Sequence, residues 1–337
     1  MNGQRYIKLR WLLSVIVTLV VLWLFFRELS FQDVGNVLKN INLSWFSLAA
    51  GAYVVSTIIR AQRLRYVGFK NEPLKSLTKI TFLQFFYSNL LPWRTGEFSF
   101  FYLVKRNSSQ PVAVAASSLL ITRLFDFIAV VIILIISLLL LFPELVRTGD
   151  PLLLSALGVL ILLLVLLAFT LFGRRVFTRS AKVLVRFFRI KQEFLDNHII
   201  PRWQRFGEEL NQVRRKLSAL LINSLIAWFL IGLMTWGMAE SIGLAIDIPS
   251  SIFLTVFPPF AVLIPLPTFA NFGTIEAGWA FGLSFLGYSA ATALEIGLFL
   301  HVLSIILYLL GALIGTSIDI ENNDPKDQLD VSRIGSK

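Results

Sequence analysis

Long blocks of apolar residues dominate this chain and restrict what it can fold into. A helix needs about 20 predominantly apolar residues to cross the hydrocarbon core of a bilayer, and such blocks recur up to about residue 318. Hydrophobic residues make up 56% of the 337 positions and charged residues only 15%, whereas soluble domains carry about 25% charged residues. The sequence therefore predicts an all-α integral membrane protein, without space between the blocks for a typical soluble domain of about 100 residues.

Six of these blocks are predicted to be full membrane spans. The first two are short, and flanking Arg and Trp side chains can extend to the interface to complete their length. The basic N-terminus resembles a secretory signal, but no small-residue cleavage site follows the first block, so we expect a retained helix. The predicted spans are 11–26, 43–59, 115–142, 152–172, 218–239 and 290–318.

Two further apolar blocks, 80–104 and 252–286, are interrupted near their middle. Proline removes a backbone donor and glycine loosens a helix, so each block is predicted to form helix–break–helix. The residues that mark the breaks are Pro92 and Gly96 in the first block, and Pro265, Pro267 and Gly273 in the second.

The distribution of basic residues indicates whether the broken blocks cross the bilayer or turn back. If both turn back, 26 of the 31 Lys and Arg residues lie on one side, and the other side holds only Arg27, Lys39 and Arg147. If 80–104 crossed instead, the basic segment 173–217 would lie outside, against the positive-inside bias. We therefore predict six spans and two re-entrant hairpins in the plasma (inner) membrane, with both termini cytoplasmic.

The order span, span, broken hairpin, span occurs twice, at a spacing of about 175 residues. Three crossings per half invert the second half, so the two hairpins are predicted to enter from opposite faces. Interrupted segments at matching positions of two halves point to the binding site of a transporter; a chance alignment within a six-helix protein is the alternative. A single membrane domain, 1–318, would then contain the repeats 5–142 and 152–318.

Two segments are predicted to lie outside the bilayer. In 173–217, apolar and basic residues alternate between 176 and 189, as in an amphipathic helix that binds an anionic leaflet. A solvated loop, kept inside by its charge, explains the pattern equally well. The acidic, polar tail 319–337 is predicted to be disordered.

Ionisable residues at hydrocarbon depth are the candidates for function. A central charge costs about 2.5–3.5 kcal/mol on insertion scales, so it is expected only where it is paired, hydrated or useful. Arginine suits a phosphodiester, and the second helix of each broken block directs its N-terminal amides toward the tip. A salt-bridge network that only locks the hairpins in place is the alternative. The head-group candidates are Arg94, Glu97, Arg123, Asp126 and Glu276, of which the first four could close one buried cluster; Asn89, Asn271, Glu295 and His301 are secondary candidates.

Signatures of soluble enzymes are missing from the sequence. It contains no GxxxxGK[ST] phosphate loop, HExxH, GxSxG or Asp-x-Asp motif, and cysteine is absent. The two histidines, His198 and His301, are far apart in sequence. We therefore expect no catalytic residues, no cofactor and no metal site, although a membrane enzyme that acts on a lipid stays possible, because carboxylates at the tips could serve as general bases.

Three motifs resemble the flippase-like membrane domain of the lysylphosphatidylglycerol synthase family. They are NLLPWRTGE at 89–97, TRLFD at 122–126, and the run from Pro265 to Glu276. The similarity covers about residues 5–318. Thr122 replaces the usual acid before Arg123, and the family's glycine-rich run is reduced to Ala-Asn-Phe-Gly at 270–273. The soluble aminoacyl-transferase domain of full-length members has no counterpart in these 337 residues, so the resemblance implies lipid binding and translocation rather than lysyl transfer.

These observations predict a lipid transporter that binds an anionic phospholipid or polyprenyl-phosphate-type amphiphile and moves it between leaflets. A membrane-embedded lipid-modifying transferase and a non-transporting scaffold are the alternatives. The expected partners are membrane lipids, including an anionic leaflet that contacts 173–217, and no nucleic acid.

Overall fold

The computed structural model describes residues 12–21, 23, 39–147, 151–172, 213–264 and 267–319, and all regular structure within these ranges is helical. The predicted all-α class is therefore confirmed for the described residues. The basic segment up to residue 212, the tail from residue 320 and Pro265 lie outside them. The helices are α1 (Leu12–Val21), α2 (Leu43–Leu64), α3 (Leu74–Leu90), α4 (Ser99–Asn107), α5 (Val112–Leu141), α6 (Pro143–Arg147), α7 (Pro151–Phe172), α8 (Leu217–Ser241), α9 (Ile248–Leu254), α10 (Phe257–Ala261), α11 (Thr274–Phe285) and α12 (Ala290–Ser317).

Four helices, α2, α5, α8 and α12, are long and apolar enough to cross a membrane, with 22 to 30 residues each. At a rise of about 1.5 Å per residue they measure roughly 33–45 Å, at least the thickness of the hydrocarbon core. They coincide with four of the six predicted spans. The other two predicted spans correspond to α1, described over Leu12–Val21, and to the apolar helix α7.

One predicted boundary is wrong. The second span was expected to end at Ile59, where the apolar run stops, but α2 continues to Leu64. Arg60 and Arg63, which follow the predicted end of the span, lie on this last turn and a half and are buried. The helix continues because both guanidinium groups have a buried carboxylate partner, described below.

The first broken block has the predicted helix–break–helix form. Helix α3 ends at Leu90, and Leu91 is extended, as the residue before a proline usually is. Pro92 then begins a 3-10 segment, Pro92–Phe98, which leads into α4. The break and α4 both pack against α3, so the chain reverses direction. Gly96 lies against the backbone of Tyr87 and Ser88.

The second broken block is longer and has the same form. Its first arm consists of α9 and α10, and its second arm, α11, packs against α10. Between them is a short 3-10 turn, Phe269–Asn271. Helix α1 supports this break, because the amide of Phe269 donates a hydrogen bond to Oγ1 of Thr18, at 2.8 Å.

The long helices hold the two broken blocks between them. Helices α2 and α8 make the most extensive helix–helix contact in the described part of the chain. Small residues allow it, since a Cβ at Gly237 would lie only 3.0 Å from the backbone of Ala49 and Trp45. Helix α12 packs against α3 of the first block and α11 of the second. Polar residues of both breaks therefore come close to the centre of the bundle.

Candidate functional site

A cavity of about 210 Å³ lies between the two breaks. Residues from α2, α3, α5, α8, α10, α11 and α12 line it, together with residues of both 3-10 segments. Its volume is below the roughly 300–1,000 Å³ of pockets that enclose drug-sized ligands. It is therefore large enough for a polar head group, whereas the tails of a lipid would have to remain outside.

Asp126 of α5 is the centre of the charged side of this cavity. Arg63 holds it with two hydrogen bonds, Nη1 to Oδ1 at 2.7 Å and Nη2 to Oδ2 at 2.9 Å. Nη1 of Arg63 also donates to Oγ of Ser224, at 2.5 Å, and the indole of Trp228 donates to Asp126 at 3.1 Å. Since Arg63 and Asp126 are buried, this bidentate pair connects α2, α5 and α8 within the bundle.

Arg60 is bound to the same carboxylate, but more loosely. Its Nη1 lies 3.3 Å from both oxygens of Asp126, and its Nε has no partner among the described residues. The guanidinium lies over the rings of Phe85 and Trp228, with its carbon 5.4 and 4.9 Å from the ring centroids. Two buried arginines thus share one aspartate, which leaves a local excess of one positive charge at Arg60.

Glu97 of the first break pairs with Arg123 of α5. Nη2 of Arg123 lies 2.8 Å from both carboxylate oxygens. Both side chains line the cavity and are partly exposed. The side chain of Arg94 lies outside what the structure describes. Of the cluster expected from Arg94, Glu97, Arg123 and Asp126, the three described side chains line the same cavity, where Glu97 binds Arg123 and Asp126 binds the two arginines of α2.

The second break has an unusual backbone. Ala270 and Asn271 have φ values of +52° and +55°, and Gly273 has +89°. This left-handed region favours glycine, and asparagine tolerates it better than most residues. Ala270 and Asn271 therefore adopt a backbone conformation that glycine would reach at lower cost. The side-chain amide of Asn271 donates to the carbonyl of Asn89, at 3.4 Å, and so connects the two breaks.

Glu276 and His301 form a fully buried pair beside the second break. One oxygen of Glu276 accepts the amide hydrogen of Gly273, at 2.7 Å, and so caps α11. The other lies 2.7 Å from Nδ1 of His301 on α12. The imidazole packs against the ring of Phe272. Its Nε2 is buried and has no partner among the described residues, although His301 lines the cavity.

Most of the residues predicted to form the site meet at this cavity. Glu276 contacts it through His301, whereas Glu295 is not among the lining residues, as expected from its position on a different face of α12 from His301. Within the described ranges, no group of three His, Asp or Glu side chains could hold a metal ion. The predicted site residues that line the cavity are Asn89, Glu97, Arg123, Asp126, Asn271 and His301.

Arg60 and Arg63 were missed in the sequence. The signal was present, because Ser56, Arg60 and Arg63 recur at spacings of four and three residues. Such spacing places them on one helical face. The polar face therefore continues beyond the end of the apolar run at Ile59, and so does the helix.

Much of the remaining cavity wall is apolar, and uncharged polar side chains complete it. Aliphatic, aromatic and proline side chains of α5, α8 and α10, with Val262 just after α10, line the cavity together with the charged residues. A site lined by both charged and apolar side chains can bind an amphiphile that has a polar head and a hydrocarbon part. The apolar residues are Phe127, Val130, Ile231, Met234, Pro258, Pro259 and Val262.

Comparison with known protein families agrees with the resemblance of the three motifs. The family model described as the lysylphosphatidylglycerol synthase TM region matches residues 11–312, which is most of the chain. No curated protein and no solved structure matched it. The apolar helices and this match together show a multi-pass membrane protein, and the chain belongs to the lysylphosphatidylglycerol synthase TM-region family.

Proposed function

We propose that the protein binds the head group of an anionic lipid, either a phospholipid or a polyprenyl-phosphate-type amphiphile, in the central cavity and moves the lipid between leaflets. The observation that carries this proposal is Arg60. It is a buried cation that shares its carboxylate with Arg63, its Nε has no partner among the described residues, and it lines a cavity that also contains apolar side chains.

The charge balance around Arg60 favours an anionic ligand. Arg63 makes two short hydrogen bonds to Asp126 and a third to Ser224, and it does not line the cavity, so we assign it a structural role, although its Nε also lacks a partner among the described residues. Within the described part of the chain, Arg60 lines the cavity with a donor that has no partner and a charge that Asp126, shared with Arg63, does not fully balance. A phosphate oxygen would supply a charge-assisted hydrogen bond, which contributes about 1.5–3 kcal/mol. The pair formed by Arg123 and Glu97 is closer to solvent and could exchange partners as a head group enters.

The two broken blocks supply the proposed route. Each reverses direction, and the breaks meet at the hydrogen bond from Asn271 to Asn89. We propose that they are re-entrant hairpins that enter from opposite faces as parts of an inverted repeat, with both termini cytoplasmic. In such transporters the binding site lies near the bilayer midplane, where interrupted helices meet. Alternate opening on either side of this contact would expose the cavity to one leaflet at a time.

The first test of this function replaces Arg60 with glutamine. Purified protein is examined by native mass spectrometry for bound lipid, and then in vesicles for leaflet exchange of a fluorescent phosphatidylglycerol. Loss of one charge-assisted hydrogen bond is expected to weaken lipid retention and exchange at least about 10-fold. Arg147→Gln is the matched control, because Arg147 pairs only at the surface, with Glu144, and it is expected to behave like the wild type. Absence of exchange in the wild type under any imposed gradient would refute the transport proposal.

The proposed topology has a separate test, since the chain contains no cysteine. Single cysteines are introduced at exposed positions that flank each hairpin: Lys70 and Arg106 for the first, Ala245 and Ala291 for the second. A membrane-impermeant thiol reagent is expected to label the first two only from the cytoplasmic side and the other two only from the opposite side. Labelling of positions 70 and 106 from different sides would show that the first broken block crosses the bilayer.

A further inference from the structure

The cavity contains several uncharged polar atoms that lack hydrogen-bond partners. Among the described lining residues these are Oη of Tyr53, Oγ of Ser88, Oγ1 of Thr235 and Nε2 of His301. A buried polar atom without a partner costs about 1–3 kcal/mol. Arg60 carries the only unpartnered atom of a charged group that lines the cavity in the described part of the chain. The cavity therefore offers more hydrogen bonds to uncharged polar groups than one phosphate could use.

The contact with Glu276 fixes the orientation of His301. An ionised carboxylate can only accept a hydrogen bond, so a neutral imidazole in this position would carry its hydrogen on Nδ1, 2.7 Å from Glu276. The amide of Gly273 holds the other oxygen of this carboxylate and prevents it from turning away. Nε2 of this tautomer would be an acceptor, and a hydroxyl group is a donor that suits it.

The neighbouring side chains extend this arrangement. His301, Ser304 and Tyr308 recur at spacings of three and four residues on α12, and all three line the cavity. The ring of Tyr308 packs against that of Tyr53 on α2, with centroids 5.6 Å apart. Thr235 lines the cavity from α8. Three helices thus contribute uncharged polar groups to the same space that Arg60 enters.

We propose that Tyr53, Thr235 and His301 form a subsite for head-group hydroxyls, so that the preferred ligand is an anionic lipid whose head group carries free hydroxyls in addition to its phosphate. This inference rests on the proposed function, because it assigns the phosphate to Arg60. Glu276 is a positioning residue, since it acts on the ligand through His301.

The test compares two lipids that differ in hydroxyl content and match in charge and chain length. Phosphatidylglycerol carries two head-group hydroxyls, whereas phosphatidylpropanol with the same acyl chains has the same three-carbon head without them. Competition for purified protein in nanodiscs, read by native mass spectrometry, is expected to favour phosphatidylglycerol at least about 10-fold, because each neutral hydrogen bond contributes about 0.5–1.5 kcal/mol.

Conservative variants identify the residues responsible. Tyr53→Phe and Thr235→Val each remove one hydroxyl and little else, and each is expected to reduce the preference about three- to tenfold. The lipid-free protein should keep its melting temperature or gain slightly, because an unsatisfied polar group has been removed. His301→Gln, which can still donate to Glu276, is expected to reduce the preference similarly. Tyr102→Phe and Thr316→Val are controls at exposed positions and should leave the preference unchanged.

The outcomes separate this inference from the proposed function. Equal binding of both lipids, with both weakened by Arg60→Gln, would overturn the hydroxyl subsite and leave anionic-lipid binding intact. Failure of the wild type to bind either lipid would remove the proposed function itself. Displacement of phosphatidylglycerol by free glycerol phosphate at equal concentration would show that the apolar wall contributes nothing, and the lipid assignment would be wrong.

Discussion

Asp126→Asn is expected to lower the free energy of unfolding by about 3–5 kcal/mol, the usual cost of removing one partner from a buried ion pair. The reason is that Arg60 and Arg63 share this carboxylate and both are buried. Asparagine has nearly the same shape as aspartate, so the lower free energy of unfolding is due to the missing charge rather than to altered packing. Titration with a denaturing detergent in mixed micelles measures the effect.

Two further variants determine how the loss at Asp126 arises. Glu144→Gln removes an exposed carboxylate from the surface pair with Arg147, and such pairs are worth at most about 1 kcal/mol. The double variant Arg60→Gln/Asp126→Asn should be more stable than Asp126→Asn alone, because it removes one of the two buried cations that lose their carboxylate partner. An Asp126→Asn protein as stable as the wild type would show that the buried pair does not stabilise the fold.

Gly96→Ala is expected to destabilise the first break by about 3 kcal/mol or more, at the upper end of overpacking effects in protein cores. A Cβ at this position would overlap the carbonyl of Tyr87 and the Cα of Ser88. These are backbone atoms, so the overlap cannot be relieved by a rotamer change. The break must instead move away from α3 and take Glu97 with it.

Lipid exchange should therefore fall together with stability in Gly96→Ala, and both can be measured on one preparation. Gly51→Ala is the matched control, because Gly51 lies in the middle of α2 with open space around its Cβ position. Alanine there should have a neutral or slightly stabilising effect, by up to about 1 kcal/mol. If Gly96→Ala retained wild-type exchange and stability, the close contact between the break and α3 would have no functional importance.

The architecture could be predicted largely from apolar run length and from proline. The four long helices coincide with predicted spans because a run of about 20 apolar residues has few stable alternatives to a spanning helix. The break at Pro92 could be placed because proline both lacks a donor and forces Leu91 out of helical geometry. The end of α2 could not be predicted in this way. The run of apolar residues ends before Arg60, but the last turns of the helix are stabilised by Asp126, which is 66 residues away from Arg60 in sequence.

The ion pairs within the site could not be predicted from the sequence, for a similar reason. Sequence placed Glu97, Arg123, Asp126 and Glu276 at hydrocarbon depth, but which cation meets which anion depends on how the helices are rotated about their axes. Glu276 and His301 are 25 residues apart on helices whose relative height depends on the loop between them. The sequence therefore does not predict that they pair, and it makes His301 only a secondary candidate.

The contacts of Asp126 determine which parts of the bundle can shift. This carboxylate accepts hydrogen bonds from α2 and from Trp228 of α8, and Arg63 also reaches Ser224 of α8. Sliding α5 past either neighbour would separate opposite charges in a medium of low dielectric. We therefore expect these three helices to move as one rigid unit during any transport cycle. The helices on either side of the Asn271–Asn89 contact would be the parts that move relative to it.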